Sequence, residues 1–287
     1  MHWFFHLIAC QSGEVRFEQP ELIAAALVPK GTYEIGIPTS MYPTDTLLSR
    51  RVTLTYDYLI AATEVTLAQW LRVRPELPAQ YCTDDELQVL SRNHPVRCVS
   101  WCEAVLFSNA VSRMDGLEPA YEVVGDFDWD ISAIHCNERA QFVRLDPKAS
   151  GWRLPTEAEW EIAAHGAQAK PNFERIEKSP EKMAWFKETS DNRVHAVATR
   201  EPNEIGLFDM SGNVFEWTWE RYAAYRSTQV TDPFHFEVLI PQIYTRPIKG
   251  GGFMTPKEKL PVYSRANASP SLRHGSIGFR LVRTWAP

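Results

Sequence analysis

Three capping boxes set the scale of regular structure that this chain can form. Thr66 stands three residues before Gln69, Ser100 before Glu103, and Thr156 before Glu159. In each, the hydroxyl takes an orphan amide of a helix's first turn, and the Gln or Glu side chain returns to the amide of the capping residue. Trp70 and Leu71 follow the first box. Ala104, Val105, Phe107, Ala110 and Val111 follow the second, and Trp160, Ala163 and Ala164 follow the third. Their three- and four-residue spacing gives each of these two helices one buried face. Gly116 and Gly166 are natural stops. A few short helices follow from this, not a bundle.

Between them the chain reads as strand and loop. VPKGTYEIG, from Val28 to Gly36, alternates around a turn, and VTLTYDYLI, from Val52 to Ile60, is β-branched and aromatic; both are read as strands. Residues 117–150 hold short apolar pieces, and residues 167–204 are rich in Pro, Lys, Asn and Glu with little periodicity; both are read mainly as loop. Ten Trp and twenty Pro against fourteen Gly fit such a chain, with irregular segments pinned by large rings. No repeat is present. The reading is one α+β domain over residues 26–287, preceded by a leader or linker over residues 1–25. A formal net charge of -6 argues against a surface that binds nucleic acid by neutralising phosphates. No run of about 18 apolar residues exists, so no spanning helix is expected.

The first ten residues carry a second signal. Leu7, Ile8, Ala9 and Cys10 fit the pattern at which a lipoprotein leader is cut and the cysteine lipidated, although no Lys or Arg precedes it and the apolar run is short. Export as a bacterial lipoprotein, with Cys10 as the lipidation site, is the expected localisation; a buried N-terminal strand in a cytoplasmic protein is the alternative. Of the five cysteines, Cys82, Cys98, Cys102 and Cys136 then remain. Cys98 and Cys102 are spaced to lie on one helix face, but a buried thiol with a disulfide partner, such as Cys82 with Cys98, is the plainer reading.

From Gly151 to Glu161 the sequence GWRLPTEAEWE becomes specific. Pro155 and its capping box fix a sharp loop-to-helix turn, and Arg153 can clamp carbonyls or a carboxylate with its planar fork. Four further segments agree in order: VPKGTYEIG; Thr63 to Thr66 (TEVT) with Trp70; Pro95 to Trp101 (PVRCVSW) with Ala104; and Pro202 to Trp217 (PNEIGLFDMSGNVFEW). The end adds Lys249 to Phe253, Arg265 with Ala266, and Gly278 to Arg280. The chain resembles, from about Val28 to Leu281, the family of formylglycine-generating enzymes and sulfatase-modifying factors.

The resemblance implies a C-type-lectin-like fold, loop-rich and low in regular structure. It also implies a structural calcium site, with side-chain oxygens from Asp209 and Glu216 and carbonyls from Gly212 and Val214; hard oxygen ligands on a tight turn suit Ca²⁺. The family's enzymes oxidise a substrate cysteine with copper held by two cysteines that follow a Gly-Gly-Ser strand, a soft thiolate pair suited to Cu(I). Here Gly250 to Arg265 contains no Cys, and the last cysteine is Cys136. Met254 reads as packing and His274 as exposed, so copper is not expected. Nucleotide-loop, zinc-protease and serine-hydrolase motifs are absent. Two functions compete: a non-catalytic, envelope-anchored lectin-like binding or accessory module, or an enzyme of altered mechanism acting on protein cysteine. In such folds the C-terminal loops form the binding face, here with Tyr263, Arg265, Asn267, Arg273 and His274 toward a protein or glycan.

Overall fold

The computed structural model describes residues 22–37, 49–78, 91–123, 125, 127–129, 131–170, 174–223, 229–234, 245–260 and 262–285. Cys10 and Cys82 lie outside these. Each stretch read as a single strand is a pair of strands. β1 (Ala25–Val28) and β2 (Gly31–Gly36) divide the first; β3 (Ser49–Leu54) and β4 (Asp57–Ala61) divide the second. The turn in the first stretch was read from the sequence; in the second the alternation continued across the turn and hid it. β1 and β4 pair antiparallel, and β12 (Val282–Trp285), at the other end of the chain, pairs antiparallel with β4's second edge. β2 pairs with β3, which also pairs with β8 (Gln229–Thr231). A third sheet runs in the order β10 (Ala266–Ala268), β9 (Arg246–Lys249), β7 (Phe215–Trp217) and β11 (Ile277–Gly278). β5 (Tyr121–Glu122) and β6 (Arg144–Leu145) form a small ribbon.

All three capping boxes close in both directions. They start α1 (Leu67–Val73), α2 (Trp101–Met114) and α4 (Glu157–Ala164). Gly116 and Gly166 follow the last two with positive φ, as expected of stops. The stretches read as loop also hold helix: α3 (Ala133–Arg139), α5 (Glu174–Lys178) and α6 (Pro180–Met183). α3 is capped by Ser132, but His135 at its third position cannot complete the box, so the sequence signal was weak.

The tryptophans explain how so much irregular chain is held. Five indoles bury their rings and point their N–H groups at neighbouring segments. Trp70 donates to the Glu76 carbonyl at 2.9 Å, Trp101 to Thr218 at 3.0 Å, Trp217 to Val99 at 2.9 Å and Trp219 to Phe234 at 3.0 Å. Trp152 donates to the Asp115 carboxylate at 2.8 Å. The rings also stack, Trp70 on Phe107 at 5.4 Å and Tyr121 on Trp219 at 5.0 Å. A ring that fills the core while its polar edge pins a backbone stabilises a fold of few elements.

α4 departs from the one-sided helix expected. Its acidic positions are buried along with its apolar ones. Cations from the preceding turn and from the C-terminal third make this possible. Arg153 grips Glu159 through both nitrogens, at 2.7 and 2.6 Å; Lys249 reaches Glu161 at 2.9 Å; Arg265 reaches Glu157 at 2.5 and 2.9 Å. Burial alone would raise the Glu161 carboxyl, yet Lys249 and His165 hold it at about 2. α4 is therefore the hub on which the C-terminal third is docked.

Candidate functional site

The longest sequence signature, Pro202 to Trp217, forms a buried loop running into β7. Gly212 sits where no side chain fits. Its φ is +81°, and a Cβ there would lie 2.1 Å from the Trp185 carbonyl oxygen. Asn213 N–H then donates to that same carbonyl at 2.7 Å, and Gly212 N–H donates to Gly250 at 2.8 Å. The loop is thus clamped between residue 185 and the strand end at Gly250.

Glu216, expected to ligate calcium, is already engaged. Arg280 donates to its two carboxylate oxygens at 2.6 and 2.7 Å, and the Trp160 indole donates at 2.7 Å. Arg280 places its remaining bonds on the carbonyls of Ala61, at 3.1 Å, and Phe208, at 2.9 Å. The Arg280 guanidinium thus offsets the charge of the buried Glu216 carboxylate. Of the expected calcium set, Asp209, Gly212, Val214 and Glu216, this structure pairs Glu216 with Arg280. Among the described residues, no three His, Cys, Asp or Glu side chains are grouped to hold a metal ion.

Asp209 is different, and it has a neighbour that the sequence did not single out. Phe208 N–H donates to the Ala62 carbonyl at 2.9 Å, and Val65 N–H to Phe279 at 2.9 Å. These bonds bring Glu64, Asp209 and Arg280 together. Asp209 is buried, adopts a φ of +58°, and accepts from Ala198 N–H on one oxygen at 2.8 Å. Its Oδ1 has no hydrogen-bond partner, and neither oxygen of the fully buried Glu64 has one. Burial, and then the charge of Asp209, pushes the Glu64 carboxyl well above the usual range; burial pushes Asp209 up to about 6. The TEVT motif had been legible only as the approach to a helix.

The tract from Gly250 to Arg265, where the resemblance implies a metal-binding thiolate pair, is packed with side chains. Phe253 lies against Val194 and Val214, and Leu260 against Ala184 and Phe186. Val262 joins the cluster containing Trp160 and Met210. Thr255 Oγ1 accepts from Gly252 N–H at 2.9 Å and closes the turn. Met254 points outward and is 58% exposed. The cysteines are engaged elsewhere. Cys102 is bonded to Cys136, with Cα atoms 6.0 Å apart, and Cys98 is also disulfide-bonded.

Of the five residues expected on a binding face, two are engaged with acids of the fold. Arg265 faces inward onto Glu157 and the Ala223 carbonyl. Arg273 donates to Glu103 at 2.8 Å, beside the α2 capping box. In this structure these two act as docking pegs, each offsetting an acid at a helix start. Tyr263 is half-buried, and Asn267 and His274 are exposed.

Comparison with known proteins bears directly on this arrangement. The profile of the sulfatase-modifying factor enzyme 1-like domain matches residues 13–285. The chain belongs to this family. The protein called Chaperone protein LppX of Paenibacillus barcinonensis is 30% identical over 225 residues, 72% of each chain. The formylglycine-generating enzyme of Mycobacterium tuberculosis is 34% identical over 153 residues, 46% of this chain and 51% of that enzyme. Among solved structures, Treponema denticola variable protein 1 superposes with a TM-score of 0.70 at 28% identity, covering 90% of this chain and 94% of its own. The mixed, loop-rich architecture is thus the sulfatase-modifying-factor fold.

Proposed function

We propose that this chain is a non-catalytic member of its family, an accessory module that works on protein partners outside the cytoplasm. The observation that carries the reading is the tract from Gly250 to Arg265. It has no cysteine, and Phe253, Leu260 and Val262 fill the space beside the glycine turn. Cu(I) chemistry needs soft ligands with an open position, and apolar packing offers neither.

The placement outside the cytoplasm draws on two further facts. Three cysteines are in disulfides, which persist in oxidising compartments. The run ending at Cys10 fits lipidation, which would tether the module to a membrane surface. No helix among the described residues is long and apolar enough to cross a membrane. The relative that carries the name of a chaperone favours a protein partner over a glycan. Of the five residues expected on the binding face, Asn267 on β10 and His274 are the exposed ones.

Photo-crosslinkers placed at Asn267 and His274 in intact cells test this reading, with exposed Glu122 as the control position. Discrete protein adducts at the first two positions and none at Glu122 are expected. Glycan-array binding by the purified chain, without protein adducts in cells, would overturn it.

A further inference from the structure

We propose that the Asp232–Pro233 peptide bond is a self-processing site, at which the Asp232 carboxylate cuts its own main chain. The inference starts from the backbone. Asp232 has a φ of +44°, in the left-handed region, and it precedes a proline. That region disfavours residues with a side chain, and a following proline restricts the backbone further. The conformation is imposed from both sides. Asp232 N–H donates to the Thr53 carbonyl at 2.9 Å, at the end of the β3–β8 pairing. Beyond it Pro233 and Phe234 are buried, and the Phe234 carbonyl accepts from the Trp219 indole at 3.0 Å.

The side chain and the carbonyl are held as well. Thr55 N–H donates to Oδ1 of Asp232 at 2.8 Å, and the Thr55 hydroxyl to Oδ2 at 2.6 Å. The carboxylate is thus fixed in place, not free to turn in solvent. The Asp232 carbonyl oxygen accepts from Phe234 N–H at 2.8 Å. That donor is ready for the negative charge that forms on the oxygen when its carbon is attacked. The chain's other Asp–Pro bond, Asp146–Pro147, lacks the strained backbone: Asp146 has no positive φ, and its Oδ1 caps Lys148 N–H at 2.9 Å.

The step needs only water. A carboxylate oxygen of Asp232 attacks its own main-chain carbonyl carbon, which forms a C–O bond and closes a cyclic anhydride. The C–N bond to Pro233 breaks, and the nitrogen leaves as a secondary amine with a proton from solvent. Water then opens the anhydride. The products are a free α-carboxyl on Asp232 and a free amine on Pro233; one water is consumed and nothing is oxidised or reduced. Proline also closes the competing route, in which the next residue's N–H attacks the Asp side chain, because it has no N–H. Cleavage releases the left-handed strain, so the folded chain favours it.

Intact-mass spectrometry of the purified full-length chain, incubated folded with protease inhibitors present, tests the site. Fragments 1–232 and 233–287 are expected, with masses that sum to that of the chain plus one water. Every cysteine precedes residue 137, so the fragments separate on denaturation without reduction. In the folded chain the cut at 232–233 should run roughly tenfold or more faster than any cut at 146–147, and in urea the two rates should converge. Asp232→Asn tolerates the left-handed backbone but lacks the nucleophilic carboxylate, and should lose the cut while its thermal unfolding shows a folded chain. The comparison of folded with unfolded chain is read on the wild type and does not depend on that variant. A folded chain that stays intact, equal rates at the two bonds, or a folded Asp232→Asn variant cut as fast as wild type would overturn the proposal.

Discussion

Replacing Arg280 by alanine is expected to cost about 3–5 kcal/mol in chemical denaturation, or to prevent folding altogether. Arg280 is fully buried and joins four parts of the chain: Glu216, Ala61, Phe208 and, through Glu216, the Trp160 indole. Removing it leaves the Glu216 carboxylate buried with the indole as its only donor. The loss therefore reflects a stranded charge, not the net worth of the ion pair. A double variant distinguishes the two. Arg280→Met with Glu216→Leu removes both charges and should recover part of the loss. Additive losses would mean that Arg280 acts mainly through the Ala61 and Phe208 carbonyls.

Opening the Cys102–Cys136 disulfide should have the second largest effect. The two residues are 34 apart in sequence and join α2 to α3. Closing a loop of that length constrains the unfolded chain by about 4 kcal/mol in the chain-entropy account. Paired Cys102→Ala and Cys136→Ala substitution is expected to lower the denaturation midpoint by an amount of that order, with the slope little changed. A loss below about 1 kcal/mol would mean that packing, not the cross-link, holds α3 in place. The result bears on compartment as well: a domain that depends on this bond would be weakened in a reducing cytoplasm.

The helix starts were legible because a capping box is a local device. Thr66, Ser100 and Thr156 each carry the partner they need three residues away. α3 and the strand break at residues 55–56 were not, because the signals there are written in single residues inside an unbroken pattern. At the candidate site the limits were of another kind. That Asp209 and Gly212 belong to a special loop was implied by the family resemblance. That Glu216 belongs to Arg280 depends on residues 64 apart, and that Glu64 faces Asp209 depends on a hydrogen bond between Phe208 and Ala62. Arg265 and Arg273 looked like free cations in a loop, and became docking pegs only when the helices bearing Glu157 and Glu103 were placed. Long-range pairing of charges is where sequence patterns carry least.

The loss of thiolates was visible at once, since no alignment shift creates a cysteine after Cys136. The structure adds that apolar side chains fill the region. This leads to the most direct test of the account. The purified chain with its disulfides intact should be titrated with Cu(I), then incubated aerobically with a cysteine-containing peptide and analysed by mass spectrometry. The account predicts no tight one-to-one copper binding and no conversion of the peptide cysteine to formylglycine. Stoichiometric Cu(I) binding with oxygen-dependent turnover would contradict it.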